Sequence, residues 1–219
     1  MITRFLLRLL LTVAGICPAT VSSDGLGTIL DRVRFPSELL IIEGDAHRLL
    51  WSDSLSQQEK AGLRLRIESA LTGVHWLAAE YSSLTGDAIP DTLISRMIRA
   101  GSAGEFGKVE RLARDLSSRF ELNLSVFSSL RATVVDLDNA REIDQNLCRA
   151  CHQADVGSVD RLPAYQLAKM AKTMTPRAFL ARLINGVRGT ADTVLANPLT
   201  LGQVRGLMMF YGATDTFAE

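Results

Sequence analysis

Apolar side chains recur at helical spacing through the middle of the chain, and few stretches alternate between apolar and polar residues as strands do. The pattern predicts helices over about 56–82, from a cap at Asp91 to Gly101, over 105–120 and over 124–137. Glycine-containing turns separate the first three of these segments. We therefore expect residues 24–139 to form a small bundle of helices.

The last eighty residues have a different pattern, in which short helical segments alternate with loops rich in Gly, Asp, Asn and Pro. A short amphipathic helix is predicted over 143–151. Thr175 and Pro176 form a strong helix start, followed by a stop at Gly186. A capping box of Thr200 and Gln203 opens the final helix, which runs to Gly212. The predicted fold class is therefore all-α.

The first 23 residues have the features of a secretory signal. Arg4 precedes an apolar run over 9–16, and small residues follow over 18–23. Cleavage is expected after Ser23, with Ala19 as the alternative, so Cys17 would leave with the signal. A lipid anchor on Cys17 is disfavoured because a small residue does not precede it. No later stretch reaches the roughly 20 apolar residues of a membrane span, so we expect an exported, periplasmic protein without a permanent span.

Charge adds little to this picture. The chain has 24 basic and 24 acidic residues, which gives no reason to expect nucleic-acid binding. Three histidines leave little for histidine-based hydrolysis. We expect Trp51 and Trp76 to fill the core of the N-terminal bundle. One local basic segment is either a solvated face, which we favour, or a docking surface for an acidic redox partner, and contains Arg161, Lys169, Lys172, Arg177, Arg182 and Arg188.

The chemistry is concentrated in Cys148-Arg149-Ala150-Cys151-His152. Two thiols three residues apart on a helical turn can reach the two vinyl groups of one haem, and the adjacent histidine can coordinate its iron. A disulfide or redox dithiol between Cys148 and Cys151 is the first alternative. Half a zinc site is the second, but it would need further ligands. The pentapeptide therefore predicts covalent attachment of one haem c.

From about residue 140 onward the chain resembles the class I c-type cytochromes. The resemblance implies a cytochrome c-like helical domain over 140–219, in which Pro163 supports the proximal ligand His152 through its carbonyl. The helix that ends in Asn185-Gly186-Val187-Arg188 resembles the middle helix of that family. The last helix, with Leu207, Phe210 and Tyr211, resembles the one that packs across the first. Arg188, in a Gly-Val-Arg-Gly turn, is a candidate partner for a haem propionate.

One departure from the family concerns the sixth iron ligand, which is usually a methionine from the loop before the final helix. Here that loop, 189–197, contains no methionine. Met174 is the preferred substitute, with Met170 as its neighbour, whereas Met208 and Met209 are expected to serve packing. A second alternative is a distal side that is open or shielded by apolar side chains, and a third is ligation by His75 or His47 from the N-terminal half. A thioether ligand suits electron transfer, whereas an open site admits peroxide, NO or CO.

The favoured function is periplasmic single-electron transfer between redox partner proteins, which can include a membrane or periplasmic oxidoreductase complex. The alternatives are a haem enzyme or gas or peroxide sensor, and a haem subunit of a larger redox complex. The helical domain over 24–139 is a docking module, a lid over the haem or a degenerate cytochrome, and the sequence leaves these three open.

Overall fold

The computed structural model describes residues 24–128, 131–152, 166–186 and 198–212, and this part of the chain is helical, so the predicted all-α class is confirmed. None of the helices in these ranges is both long and apolar enough to cross a lipid bilayer. The helices are α1 Asp24–Trp51, α2 Gln57–Thr85, α3 Asp91–Ser102, α4 Phe106–Arg119, α5 Val134–Ile143, α6 Arg149–His152, α7 Leu167–Thr173, α8 Pro176–Asn185 and α9 Leu201–Phe210.

Helix ends are best predicted where a side chain caps the backbone. The Ser56 hydroxyl accepts from the amide of Glu59 at the start of α2, and the Glu59 carboxylate accepts from the amide of Ser56. Thr200 and Gln203 form the same reciprocal pair at the start of α9. Thr175 caps α8 with Pro176 in its first turn, as predicted.

One predicted cap and one predicted helix were wrong, although α3 begins directly after Pro90. Asp91 is the first residue of α3 and does not cap it; the capping position belongs to Pro90, whose side chain can accept no hydrogen bond. The helix predicted over 124–137 is instead a 3₁₀ turn at Ser125–Phe127 followed by α5. The Thr133 hydroxyl accepts a hydrogen bond from the amide of Asp136, and the Asp136 carboxylate accepts one from the amide of Thr133. This capping box begins a new helix at Val134.

The longest unpredicted element is α1, which has Pro36 in its interior. Proline normally interrupts a helical pattern because it lacks the amide hydrogen that the preceding turn would receive. The apolar residues of α1 are also spread over two faces, since α1 packs against α2 and α4 on one side and against α8 on another. Neither face alone gives a clear helical periodicity. The short helix α7 was likewise not predicted.

The described residues bury two hydrophobic clusters, and α1 contributes to both. The bundle cluster joins Phe35, Leu39 and Ile42 of α1 to apolar residues of α2, α3 and α4. The C-terminal cluster joins Val33 and Ile41 of α1 to residues of α5, α7, α8 and α9. Helices from before and after residue 140 are therefore packed on the same central helix. The domain division at residue 140, which falls within α5, stays a prediction.

A buried ion network reinforces this junction. Asp45 of α1 is 1% exposed and accepts hydrogen bonds from Arg66 of α2 and from Arg182 of α8, the latter at 2.7 Å. Both guanidinium groups are also largely buried. At the end of α8, Asn185 donates to the Glu38 carboxylate and to the Arg34 carbonyl, each at 2.8 Å. One carboxylate of α1 therefore neutralises cations from two different helices.

The two tryptophans do not fill the core, contrary to the prediction. Trp51 is 69% exposed at the end of α1, and Trp76 is 60% exposed on α2. The positions that face the core near Trp76 are those of Val74, Leu77 and Ala78. Trp76 follows Val74 by two residues, which in a helix turns it towards the opposite side. The helical register thus exposes a side chain that composition alone would place inside.

The helix that leads into the cysteine motif, α5, crosses the last helix, α9, at close range. Gly206 lies at the crossing, where a Cβ atom would come within 2.1 Å of the Asp136 carbonyl oxygen and 3.2 Å of the Ala140 Cβ. The obstructing atom is backbone, so it cannot move aside without moving α5. Glycine at this position therefore permits the two helices to approach each other.

Replacing Gly206 by alanine is expected to lower the free energy of unfolding by about 1–3 kcal/mol, the usual cost of overpacking. Gly44→Ala is the matched control, since Gly44 also lies within a helix but has no atom within 4 Å of the position that a Cβ would occupy. That control should raise stability by up to about 1 kcal/mol through helix propensity. Chemical denaturation of both variants measures the difference; a stabilised Gly206→Ala would contradict the close crossing.

Candidate functional site

The cysteine motif lies at the end of a continuous helical run that starts with α5. A π-helical turn, Asp144–Cys148, follows α5 directly, and the amide of Arg149 donates to the carbonyl of Asp144. The run then closes with α6, Arg149–His152. Residues three apart on a helix have Cβ atoms about 5–6 Å from each other. The backbone therefore presents positions 148 and 151 on the same side of one helical turn, with His152 next to them.

Cys148 is half-buried and is not part of a disulfide. Burial raises the pKa of its thiol above the ordinary value, and the negative charge of Asp144 raises it further. The hydroxyl of Tyr211, at the end of α9, opposes this shift but does not cancel it. The thiol form of Cys148 is thus favoured around neutral pH. The backbone of Cys151 belongs to α6, but its side chain lies outside the described part of the structure.

Asp144 is the polar centre of this region. It is buried, and its two carboxylate oxygens receive different donors: the Tyr211 hydroxyl at 2.6 Å and the Arg149 Nε at 2.7 Å. Arg149 is itself half-exposed. A buried carboxylate needs such donors because it has lost its water. Asp144 therefore connects Tyr211, at the end of α9, to Arg149, the second residue of the cysteine motif.

Aromatic packing fixes the position of Tyr211. Its ring meets the ring of Phe179 of α8 edge-on, with centroids 5.8 Å apart, and the ring of Phe210 at 5.1 Å. Burial, together with the bond to the Asp144 carboxylate, raises the pKa of the Tyr211 phenol well above its ordinary value. The hydroxyl therefore stays protonated and remains a donor across the range in which proteins are folded.

The four methionines that we considered as iron ligands or packing residues differ in their burial. Met208 is fully buried, and Met209 is exposed on the other side of α9. Met170 and Met174 are half-buried and pack against the C-terminal cluster that also contains Phe179 and Tyr211. Met174 follows the last residue of α7 and has an extended backbone, with φ −95° and ψ 159°. His152 is half-buried.

Both histidines of the N-terminal half are engaged with carboxylates. The Nε2 of His75 lies 2.9 Å from the Asp91 carboxylate, and the His75 side chain is 54% exposed. The Nδ1 of His47 lies 2.9 Å from Glu110. Burial alone would raise the pKa of the Glu110 carboxyl, but hydrogen bonds from His47, Trp51 and Arg114 outweigh it and lower that pKa.

The basic segment is not one surface. Arg182 is buried against Asp45 and takes no part in a solvated face, contrary to the expectation. Burial lowers the pKa of its guanidinium, and the charge of Asp45 is the main influence that opposes this. Lys169 and Lys172 are exposed on α7. Arg177 lies 3.9 Å from Glu121.

Several predicted features lie outside the described residues. They are the signal segment 1–23 with Cys17, the supporting Pro163, the loop 189–197, and the basic residues Arg161 and Arg188. Within the part that is described, no group of three or more His, Cys, Asp and Glu side chains is arranged to hold a metal ion. A haem would be bound differently, through two thiols and one imidazole.

The residues that are present fit a covalently bound haem in three respects. The motif is helical, Cys148 is not paired in a disulfide, and the helix α9 that lies beside the motif contributes apolar side chains to the C-terminal cluster. The groups that could hold haem are the sulfurs of Cys148 and Cys151 and the imidazole of His152. Met170 and Met174 supply thioethers beside the same cluster.

Sequence reasoning missed Asp144 and its bond to Tyr211. A signal was present: Ala140, Asp144 and Cys148 are spaced by four residues and share a helix face, so the acid interrupts a stripe that otherwise faces the core. Such an interruption predicts either a break in the helix or a buried carboxylate with a partner. The partner lies 67 residues away and cannot be read from local pattern.

Comparisons of this chain with protein-family models, with curated proteins and with solved structures find no match.

Proposed function

We propose that the protein is an exported monohaem c-type cytochrome that transfers single electrons. The observation that carries the proposal is the helical pentapeptide ending at His152, with Cys148 half-buried as a thiol against α9. Cys148 and Cys151 would bind haem through thioethers, and His152 would be the proximal iron ligand. The bound haem would supply an iron that cycles between the ferric and ferrous states. Export through the segment 1–23 is part of the same proposal, because c-haem attachment takes place across a membrane.

The chain's own residues would shape this site from the α9 side. The rings of Phe179 and Tyr211 pack edge-on, and the Tyr211 hydroxyl reaches Asp144, four residues before Cys148. The Asp144 carboxylate accepts one hydrogen bond on each oxygen, from Tyr211 and from Arg149. Polar groups that such bonds already hold in place would reorganise little when a nearby charge changes by one electron.

Met174 is the proposed sixth ligand. Its extended backbone at the end of α7 frees the side chain from the helix, while its contact with the C-terminal cluster keeps it near the apolar side of α8 and α9. Met170 is one helical turn earlier and packs on the same cluster. His75 is the weaker alternative, because its Nε2 already contacts the Asp91 carboxylate at 2.9 Å.

Met174→Ala is expected to abolish low-spin methionine ligation in the exported protein. The ferric charge-transfer band that accompanies methionine ligation should disappear, and the reduced protein should begin to bind CO. Met209→Ala is the matched control, because Met209 is exposed on α9 and should leave both properties unchanged. If the band survives in Met174→Ala and vanishes in Met170→Ala, the ligand is Met170.

A second candidate function is a haem enzyme or sensor for peroxide, NO or CO. It is favoured by one observation: the loop 189–197 contains no methionine, where the class I cytochromes usually carry their sixth ligand. An optical spectrum of the exported protein, oxidised, reduced and reduced under CO, distinguishes the two functions. A low-spin haem that ignores CO supports the electron carrier. A high-spin haem that binds CO supports the enzyme or sensor instead.

A further inference from the structure

Asp144 stands in an unusual position for an acid: it is buried four residues before Cys148, on the face of the helix that meets α9. Its side chain and its backbone are both engaged. The carboxylate receives Tyr211 from α9 and Arg149 from the motif, and the carbonyl receives the amide of Arg149. Asp144 therefore ties the motif to a second helix from a buried position next to the first thiol.

The π-helical turn controls the direction of Cys148. An α-helix advances about 100° per residue, and one residue inserted by a π turn rotates everything after it by about that angle. The turn spans Asp144–Cys148, so the insertion lies immediately before the first sulfur of the motif. The Asp144 carbonyl accepts the backbone hydrogen bond of this turn from the Arg149 amide, and the Asp144 carboxylate accepts a second bond from the Arg149 side chain. The carboxylate bonds of Asp144 to Arg149 and to Tyr211 therefore connect the end of this turn to α9.

We propose that Asp144 is a positioning residue that holds the Cys148 sulfur in the orientation required for thioether formation, through its bonds to Tyr211 and Arg149. The inference rests on the proposed function. In the step concerned, the Cys148 S–H adds across a vinyl C=C: a C–S bond forms, the double bond becomes single, and the thiol hydrogen moves to the terminal carbon. No oxidant or reductant is consumed.

The test separates positioning from general stability by measuring haem attachment through one cysteine at a time, with the other cysteine replaced by serine. Asp144→Asn keeps the size of the side chain but removes its charge, and it is combined with Cys151→Ser or with Cys148→Ser in the full-length precursor. The exported chains are expressed with a c-haem maturation system, and covalent haem per chain is measured after denaturation. In the Cys151→Ser background, where attachment depends on Cys148, Asp144→Asn should lower covalent haem by roughly tenfold, as expected when reacting atoms are misplaced. In the Cys148→Ser background it should have no effect.

Tyr211→Phe provides a milder variant that keeps the ring packed on Phe179 and removes only the hydroxyl. It should lower attachment through Cys148 in the same direction and leave attachment through Cys151 unchanged. Asp138→Asn is the matched control, because Asp138 lies on α5 with an exposed carboxylate. It should leave attachment through either cysteine unchanged.

Three results would overturn the inference. Equal losses in both cysteine backgrounds would mean that Asp144 only stabilises the fold. Unchanged attachment through Cys148 in both Asp144→Asn and Tyr211→Phe would mean that the contacts do not position the sulfur. Absence of covalent haem from the wild-type chain would remove the proposed function as well, and this outcome is distinguishable because it needs no variant.

Discussion

Replacing Asp45 by alanine is expected to lower the free energy of unfolding by about 3–5 kcal/mol, the cost of removing one partner from a buried ion pair. Asp45 is the carboxylate shared by Arg66 and Arg182, and both guanidinium groups are largely buried. Without it, two cations would remain close together and out of water. The effect should be large because α1, α2 and α8 all meet at this point.

Urea unfolding monitored by circular dichroism measures this effect as a lower midpoint. Asp138→Ala is the matched control, since Asp138 forms an exposed ion pair with Arg141 on α5 and should change stability by at most about 1 kcal/mol. Equal, small losses in the two variants would contradict the account of a buried network that joins α1 to α8.

Replacing both Cys148 and Cys151 by serine is expected to abolish covalent haem in the exported protein. Serine hydroxyls do not add to vinyl groups under these conditions, so no bond to the chain can form. Each single variant should retain haem through the remaining thioether, in reduced amount. Haem staining after denaturing electrophoresis, combined with the pyridine haemochrome spectrum, measures the covalent fraction.

Cys17→Ser is the control for this experiment. It is the third cysteine of the chain and falls in the segment 1–23 that we expect to be removed on export. The variant should carry the same covalent haem as the wild type. Covalent haem that survives in the double variant would show that the pentapeptide is not the attachment site.

Helix starts with a reciprocal side-chain cap could be predicted from sequence, because the signal is contained within four residues. Ser56 with Glu59 and Thr200 with Gln203 are examples, and both helices begin where expected. Thr133 with Asp136 has the same form, but the apolar residues on either side of it favoured one longer helix over 124–137. The local cap prevails in the structure because it satisfies backbone amides at the start of α5.

The features that could not be predicted depend on partners far away in sequence. Pro36 argues against a helix, yet α1 passes through it because both of its faces are buried against other helices. Arg182 looks like a surface cation until Asp45, 137 residues away, is placed beside it. Trp51 and Trp76 were expected in the core, but the helical register turns them outward.

The candidate site shows the same division. The pentapeptide could be singled out from sequence because two thiols and an adjacent histidine at this spacing are typical of covalent haem attachment, the chemistry that we propose for it. The surroundings of Cys148 could not, since they arise when α9 crosses α5 at Gly206 and brings Tyr211 to Asp144. The sequence thus predicts which residues would bind haem, whereas the fold determines how the first of them is oriented.

The central claim is tested most directly by the intact mass of the exported protein under denaturing conditions. Because each thiol adds to a vinyl group without loss of atoms, the account predicts the mass of residues 24–219 plus that of one haem. A chain without haem, either with its full mass or with the mass lowered by the two hydrogens lost in a disulfide between Cys148 and Cys151, would contradict it.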